Sequence, residues 1–151
     1  ILKKQGKLTP EEFEVMKSHA VIGARMFDGS NSPILKAAAD ICRSHHEKWD
    51  GSGYPYGLKG DAIPLFGRIL ALVDVFDALV SKRCYKDAWT FDEALKYIRG
   101  QAGIHFDPHL VSVFFKIQPQ IRHIYESSQT IQSFLTDYEI LNLKRAAENN
   151  E

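Results

Sequence analysis

Two adjacent histidines, His45 and His46, are the first residues whose types and spacing suggest chemistry. Neighbouring residues on a helix point about 100° apart, so both imidazoles can flank one site without superimposing. That geometry suits two neighbouring metal ions better than chelation of a single ion. A second interpretation stays open, because histidine is also favoured at the C-terminal end of a helix, where it stabilises the helix dipole.

Asp74 is the next candidate, because it lies mid-way along a segment that is apolar on nearly every side. We predict that this segment is a buried central helix, beginning at Pro64 and ending at about Lys82. A buried, unpaired carboxylate is costly, so Asp74 needs a metal, a hydrogen-bond network or a cation. The alternative to a metal is an ion pair with Arg68 on the same helix.

His19 brings in a further helix. By itself, a histidine at this place is more typical of a half-buried or surface residue than of a ligand. Together with Asp74 and the pair His45 and His46, however, it makes a donor set for a metal site in a helical bundle. Imidazole and carboxylate ligands suit Fe, Mn or Zn rather than Ca. A metal-bound hydroxide between two such ions would attack a phosphorus atom in line.

Arg83 and Lys86 follow the central helix, and cations beside such a metal site would clamp phosphate oxygens. An ordinary solvated loop of charges is the alternative. The remaining histidines do not add to the site. His105 and His109 flank a predicted helix start at Asp107 and are read as structural, and His123 is read as a surface residue.

The segments around these residues indicate an all-α protein. Thr9 and Thr90 each open a capping box, and a proline at the first helical position marks further helix starts at Pro33 and Pro108. The helix that begins at Pro33 is predicted to run to about Lys48. Residues 49–63 are rich in Gly, Asp and Pro and form one long loop, and loops of that length in compact domains are often functional.

Composition limits the class of protein. The chain has 151 residues, 44% of them hydrophobic, which suits one domain with a real core. Its formal net charge is zero, so no overall field draws it to a nucleic acid polymer or to anionic lipid. No apolar run approaches the ~18 residues of a membrane span, so no membrane contact is expected. Cys42 and Cys84 lack metal-ligand spacing and indicate free thiols in the reducing cytoplasm.

With these residues in place, the sequence resembles the HD-GYP family, a branch of the HD phosphohydrolases. The resemblance runs from residue 1 to about residue 117. Several specific segments carry it in the same order: Met16-Lys17-Ser18-His19, His45-His46-Glu47-Lys48-Trp49-Asp50-Gly51-Ser52-Gly53-Tyr54-Pro55, Val73-Asp74-Val75-Phe76-Asp77, Arg83-Cys84-Tyr85-Lys86 and His105-Phe106-Asp107-Pro108.

The resemblance implies an HD-domain-like helical bundle over residues 1–117, followed by a helical extension or linker over 118–151. The implied activity is hydrolysis of the phosphodiester bonds of cyclic di-GMP, or a related cyclic dinucleotide, in bacterial second-messenger signalling. Two or three divalent transition metals are implied as cofactors, Fe or Mn first and Zn as an alternative.

The resemblance also assigns roles to residues. The family's metal-ligand positions match His19, His45, His46 and Asp74. Its phosphate-contacting positions match Arg83 and Lys86. Gly53 and Tyr54 match the loop beside the substrate cleft, a loop also linked to contacts with protein partners.

One departure matters. The His-Asp pair that names the family, with a Lys three residues later, would lie upstream of the position matching Ile1 and is absent. We therefore expect a truncated chain that carries the second half of the site, has weak or no catalysis alone, and forms a homo-oligomer. The alternative is a noncatalytic regulatory or protein-interaction module derived from an HD-GYP domain.

Overall fold

The computed structural model describes residues 1, 4, 6–81 and 87–130, and in this part of the chain it confirms the all-α prediction. The elements are α1 (Pro10–Arg25), α2 (Pro33–Ser44), a short 3-10 helix (Gly60–Ala62), α3 (Leu65–Val80), α4 (Phe91–Gly100) and α5 (Pro108–Lys116). Residues 118–130 are also helical. No described helix is long and apolar enough to cross a membrane.

The chain divides into two compact units, residues 1–112 and residues 113–151. The first unit contains α1 to α4 and the long loop, and it carries every candidate site residue. The predicted domain division after residue 117 stays a prediction. The amphipathic helix predicted around residues 131–141 lies outside the described residues.

Local capping fixes the helix starts as predicted. At α1, the Thr9 side chain accepts the Glu12 N–H, and the Glu12 carboxylate accepts the Thr9 N–H at 2.7 Å. Thr90 and Glu93 make the same reciprocal pair at α4. Such a box satisfies two of the amide donors that a helix start leaves unpaired.

The second helix is shorter than predicted. It ends at Ser44, with His45 as its C-cap, and does not reach Lys48. The reason lies in backbone partners beyond the helix: the His46 carbonyl accepts the Tyr54 N–H at 3.1 Å, and the Trp49 N–H donates to the His105 carbonyl at 3.1 Å. These long-range bonds replace the next helical turn.

The prediction that α3 is buried all round is wrong for the described residues. One side is buried, including Leu72, Phe76 and Val80, and it packs against α2 and α4. The other side is exposed, with Phe66 at 52% and Val73 at 46% exposure. An apolar helix sequence indicates which faces favour burial, but it does not show how many neighbouring helices are available to bury them.

Small residues set the two helix crossings that position the site. At the α1–α2 crossing, a Cβ added to Gly23 would lie 3.3 Å from the Cys42 sulfur atom. At the α2–α3 crossing, a Cβ added to Gly67 would lie 2.0 Å from the Ser44 hydroxyl oxygen. Both crossings therefore depend on the lack of a larger side chain.

Candidate metal centre and its loop

Three predicted ligands meet at one point. The Nε2 atom of His19, on α1, lies 3.3 Å from Nε2 of His45 and 3.1 Å from Nε2 of His46. Ligand atoms of the three residues all fall within 4.8 Å of one another. His19 is exposed, whereas His45 and His46 are half-buried at the end of α2. The α1–α2 packing thus brings together histidines that are far apart in sequence.

Backbone carbonyls orient two of these rings. Nδ1 of His19 lies 2.6 Å from the Met16 carbonyl, and Nδ1 of His45 lies 3.0 Å and 3.1 Å from the carbonyls of Ile41 and Cys42. A carbonyl only accepts, so each Nδ1 carries a proton, and Nε2 is the ring nitrogen that faces the other histidines. Two such nitrogens 3.3 Å apart need a proton or a metal ion between them, because their lone pairs would otherwise repel.

The spacing also fits imidazole ligation. Two nitrogens bound at about 2.0–2.1 Å to one ion would be about 3.0–3.4 Å apart, and the observed separations are 3.1 and 3.3 Å. The pKa of His46 is lowered to about 4, first by burial and then by the charges of neighbouring histidines. His46 is therefore neutral near pH 7 and offers a lone pair.

The expectation of two neighbouring ions relied on a helix that ends earlier than predicted. It assumed that His45 and His46 lie inside a helix, about 100° apart. His45 is instead the C-cap of α2 and His46 lies beyond it, with ring centroids 4.0 Å apart. The number of ions remains a prediction from the family resemblance.

Asp74 is not brought into the histidine cluster. Its side chain is exposed on α3, and the cluster found among the described residues contains only the three histidines. Asp74 is therefore not a buried carboxylate, contrary to the prediction, because no described residue covers the outer side of α3 at this position. Its assignment as a metal ligand stays a prediction.

The alternative partner proposed for Asp74 is engaged elsewhere. Arg68 donates to Asp61 at 2.8 Å and to Asp107 at 2.9 Å, and its guanidinium lies 5.8 Å from the Trp49 ring centroid. Asp107 also accepts the His109 N–H at 2.8 Å, which confirms its predicted role at the start of α5.

The long loop brings Tyr54 to the cluster. Its ring stacks on His46, with centroids 4.7 Å apart and an interplanar angle of 30°. Phe13 meets Tyr54 edge-on at 5.9 Å, and the Lys17 ammonium lies 5.8 Å from the Tyr54 centroid. Burial raises the pKa of the Tyr54 hydroxyl, so it stays protonated. The Tyr54 ring thus lies beside the histidine cluster and covers one face of His46.

Gly53 has a steric reason to be glycine. A Cβ at this position would lie 2.4 Å from the Lys48 nitrogen and 2.5 Å from the Glu47 Cα. These are backbone atoms, which cannot move away as easily as the end of a flexible side chain. Gly53 therefore allows the loop to fold back onto the chain that follows His46.

Glu47 was missed by the sequence reasoning. It is 1% exposed, and its two carboxylate oxygens accept the N–H groups of Tyr56 at 2.7 Å and Leu58 at 3.0 Å. No periodicity marks it as buried, since it lies in a polar segment after the helix. Arg83 and Lys86 lie outside the described residues, so their phosphate clamp stays a prediction.

Comparison with known proteins agrees with this picture. A family model described as HD domain matches residues 1–110. A cyclic di-GMP phosphodiesterase of Thermotoga maritima is 50% identical over 125 residues, covering 83% of this chain and 34% of that protein. A 3'3'-cGAMP-specific phosphodiesterase of Vibrio cholerae is 46% identical over 116 residues, covering 77% of this chain and 22% of that protein.

A solved structure shares the fold. The crystal structure of a cyclic GMP-AMP specific phosphodiesterase from V. cholerae matches with a TM-score of 0.58 and 32% identity, covering 82% of this chain and 27% of that one. The chain spans about a third or less of the length of these relatives. The chain belongs to the HD domain family, and its resemblance to the HD-GYP branch is confirmed.

Proposed function

We propose that this chain forms part of a metal-dependent site that hydrolyses the phosphodiester bonds of a cyclic dinucleotide, cyclic di-GMP first. The observation that carries the proposal is the convergence of His19, His45 and His46, whose ligand atoms all lie within 4.8 Å of one another. The names of the relatives supply the substrate class, because they include both cyclic di-GMP and 3'3'-cGAMP phosphodiesterases.

In this proposal the histidines His19, His45 and His46 hold divalent transition metal ions, with Asp74 as a further ligand. Such ions, when bound, supply Lewis acidity and activate water near neutral pH. Imidazole with carboxylate favours Fe or Mn, with Zn as the alternative.

The protein's own residues prepare the site in three ways. The carbonyls of Met16 and Ile41 keep the Nε2 atoms free for the metal. The Tyr54 ring covers one face of His46. Arg83 and Lys86 are proposed to hold the phosphate oxygens, where a guanidinium can donate two parallel bonds.

The test uses the full-length protein that contains this chain, purified with Fe(II) or with Mn(II). Cyclic di-GMP and 3'3'-cGAMP are each supplied, and products are separated by chromatography. We expect turnover with at least one metal, reduced at least about 100-fold in His45→Ala. His123→Ala is the matched control, because His123 is exposed and lies outside the cluster.

An absence of turnover with both metals would contradict the proposed function. Nucleotide binding without turnover would favour the noncatalytic module instead. Three further predictions remain. Light scattering would test the homo-oligomer, and affinity capture with a loop variant as control would test a protein partner at the loop. Cell fractionation would test the cytoplasmic location.

A further inference from the structure

Glu47 is a buried carboxylate that the proposed chemistry does not use. Two charged residues are buried in the described part of the chain, Glu47 and Asp107, and Asp107 pairs with Arg68. No cationic side chain among the described residues forms an ion pair with Glu47. Burying a carboxylate in this way is costly unless strong hydrogen bonds offset the cost. Its two bonds to backbone N–H groups therefore have a structural consequence.

Those bonds hold one end of the loop. Tyr56 and Leu58 donate to opposite oxygens of the same carboxylate, at 2.7 and 3.0 Å. The other end is held by the backbone, where the Tyr54 N–H donates to the His46 carbonyl at 3.1 Å and Gly53 packs against Glu47 itself. Residues 53–58 are thus wrapped around Glu47.

Tyr54 belongs to the first attachment and comes two residues before the second, and its ring faces His46. If the bonds from Tyr56 and Leu58 were lost, the backbone bond at Tyr54 would be the only one of the three left. The ring would then sample other orientations, and substrate binding would have to order it again.

We propose that Glu47 is a positioning residue, which holds the Tyr54 ring against His46 and thereby sets the affinity of the site for the cyclic dinucleotide. The proposal rests on the proposed function for its substrate. In this proposal two adjacent residues have different roles: His46 is a metal ligand, and Glu47 holds the loop in position.

Glu47→Gln is the sharpest variant, because it keeps the shape of the side chain. The amide keeps one accepting oxygen, but its NH2 group would face a backbone N–H, donor against donor. In the full-length protein we expect an unchanged metal content and a KM for cyclic di-GMP raised about 10-fold or more, with a smaller change in kcat. Asp50→Asn is the matched control, since Asp50 is an exposed carboxylate of the same loop that accepts the Ser52 N–H at 2.8 Å.

A double-mutant cycle tests whether Glu47 acts through Tyr54. If it does, Glu47→Gln changes KM by less than about twofold in a Tyr54→Ala background. The same fold-change in both backgrounds would overturn the proposal. Loss of metal along with activity would also overturn it, since Glu47 would then support the histidines rather than the loop.

Amide hydrogen exchange gives a readout that needs no turnover. Glu47→Gln should speed exchange at the amides of Tyr54, Tyr56 and Leu58 and leave α1 unchanged, and equal protection in both proteins would refute the proposal. If Glu47→Gln does not fold, Gly53→Ala displaces the same loop from its other end and should show the same KM-weighted defect with metal retained. An unchanged KM in that variant would count against the idea. If the parent protein shows no turnover at all, the exchange experiment still decides the positioning role.

Discussion

Arg68, on α3, donates to the buried carboxylate of Asp107, at the start of α5, over 2.9 Å. The two residues are far apart in sequence, and Asp107 is only 6% exposed. The same guanidinium nitrogen reaches Asp61, which is 89% exposed. One cation therefore links α3, the long loop and the segment that leads into α5.

Arg68→Met should destabilise the protein by about 3–5 kcal/mol, because it leaves the buried Asp107 carboxylate without its cation. Asp61→Asn removes the exposed partner of the same arginine and should cost at most about 1 kcal/mol. The free energy of unfolding in urea measures both. Similar losses of unfolding free energy in the two variants would show that the buried Arg68–Asp107 pair does not stabilise the protein more than the exposed Arg68–Asp61 pair.

Gly67→Ala should destabilise the α2–α3 crossing by about 1–3 kcal/mol, since its Cβ would lie 2.0 Å from the Ser44 hydroxyl oxygen and 2.8 Å from the Ser44 Cβ. Adding Ser44→Gly should recover part of the loss. Gly100→Ala is the control, because nothing lies within 4 Å of a Cβ there and alanine is the better helix former. Urea unfolding of the wild type and these three variants checks this, and an unchanged free energy of unfolding in Gly67→Ala would contradict the tight crossing.

Asp74→Asn separates a role in metal binding from a role in folding. Because Asp74 is exposed, the substitution should change the free energy of unfolding by less than about 0.5 kcal/mol. The metal content of the full-length protein should nevertheless fall, if the predicted ligand role is right. Asp77→Asn, also exposed and on the same helix, is the control and should keep its metal. Elemental analysis of both variants decides, and full metal content in Asp74→Asn would remove Asp74 from the ligand set.

Arg83→Gln and Lys86→Gln test the predicted phosphate clamp. Each should weaken cyclic di-GMP binding about 10-fold or more without loss of metal, because a charge-assisted bond to phosphate is removed. Binding should also become less sensitive to salt. Titration of the nucleotide at two salt concentrations measures this, with Lys36→Gln as a control on α2. Unchanged affinity in both variants would favour the solvated-loop interpretation.

The reliable predictions from sequence concern groups that are close along the chain. The capping boxes at Thr9 and Thr90 join residues three apart, so a short stretch of sequence contains the whole interaction. Asp107 as the start of α5 is predictable for the same reason. The resemblance of the His45-to-Pro55 segment gave the family, because many specific residues recur there in order.

The burial and the ion-pair partners of the charged groups could not be predicted from the sequence. Asp74 was expected to be buried and Arg68 was its alternative partner, yet Asp74 is exposed and Arg68 pairs with Asp61 and Asp107. Burial depends on which helices cover a face, and an ion pair depends on which chains cross there. Both therefore depend on contacts between segments that are distant in sequence.

The sequence by itself determined the helical class, the places where helices begin and the chemical identity of the candidate ligands. Only the tertiary structure decided that His19 reaches His45, that α2 ends at Ser44 and that Glu47 holds the loop. The physical reason is that helix caps are satisfied within one turn, whereas these three relationships depend on backbone and side-chain groups brought together by packing between distant segments.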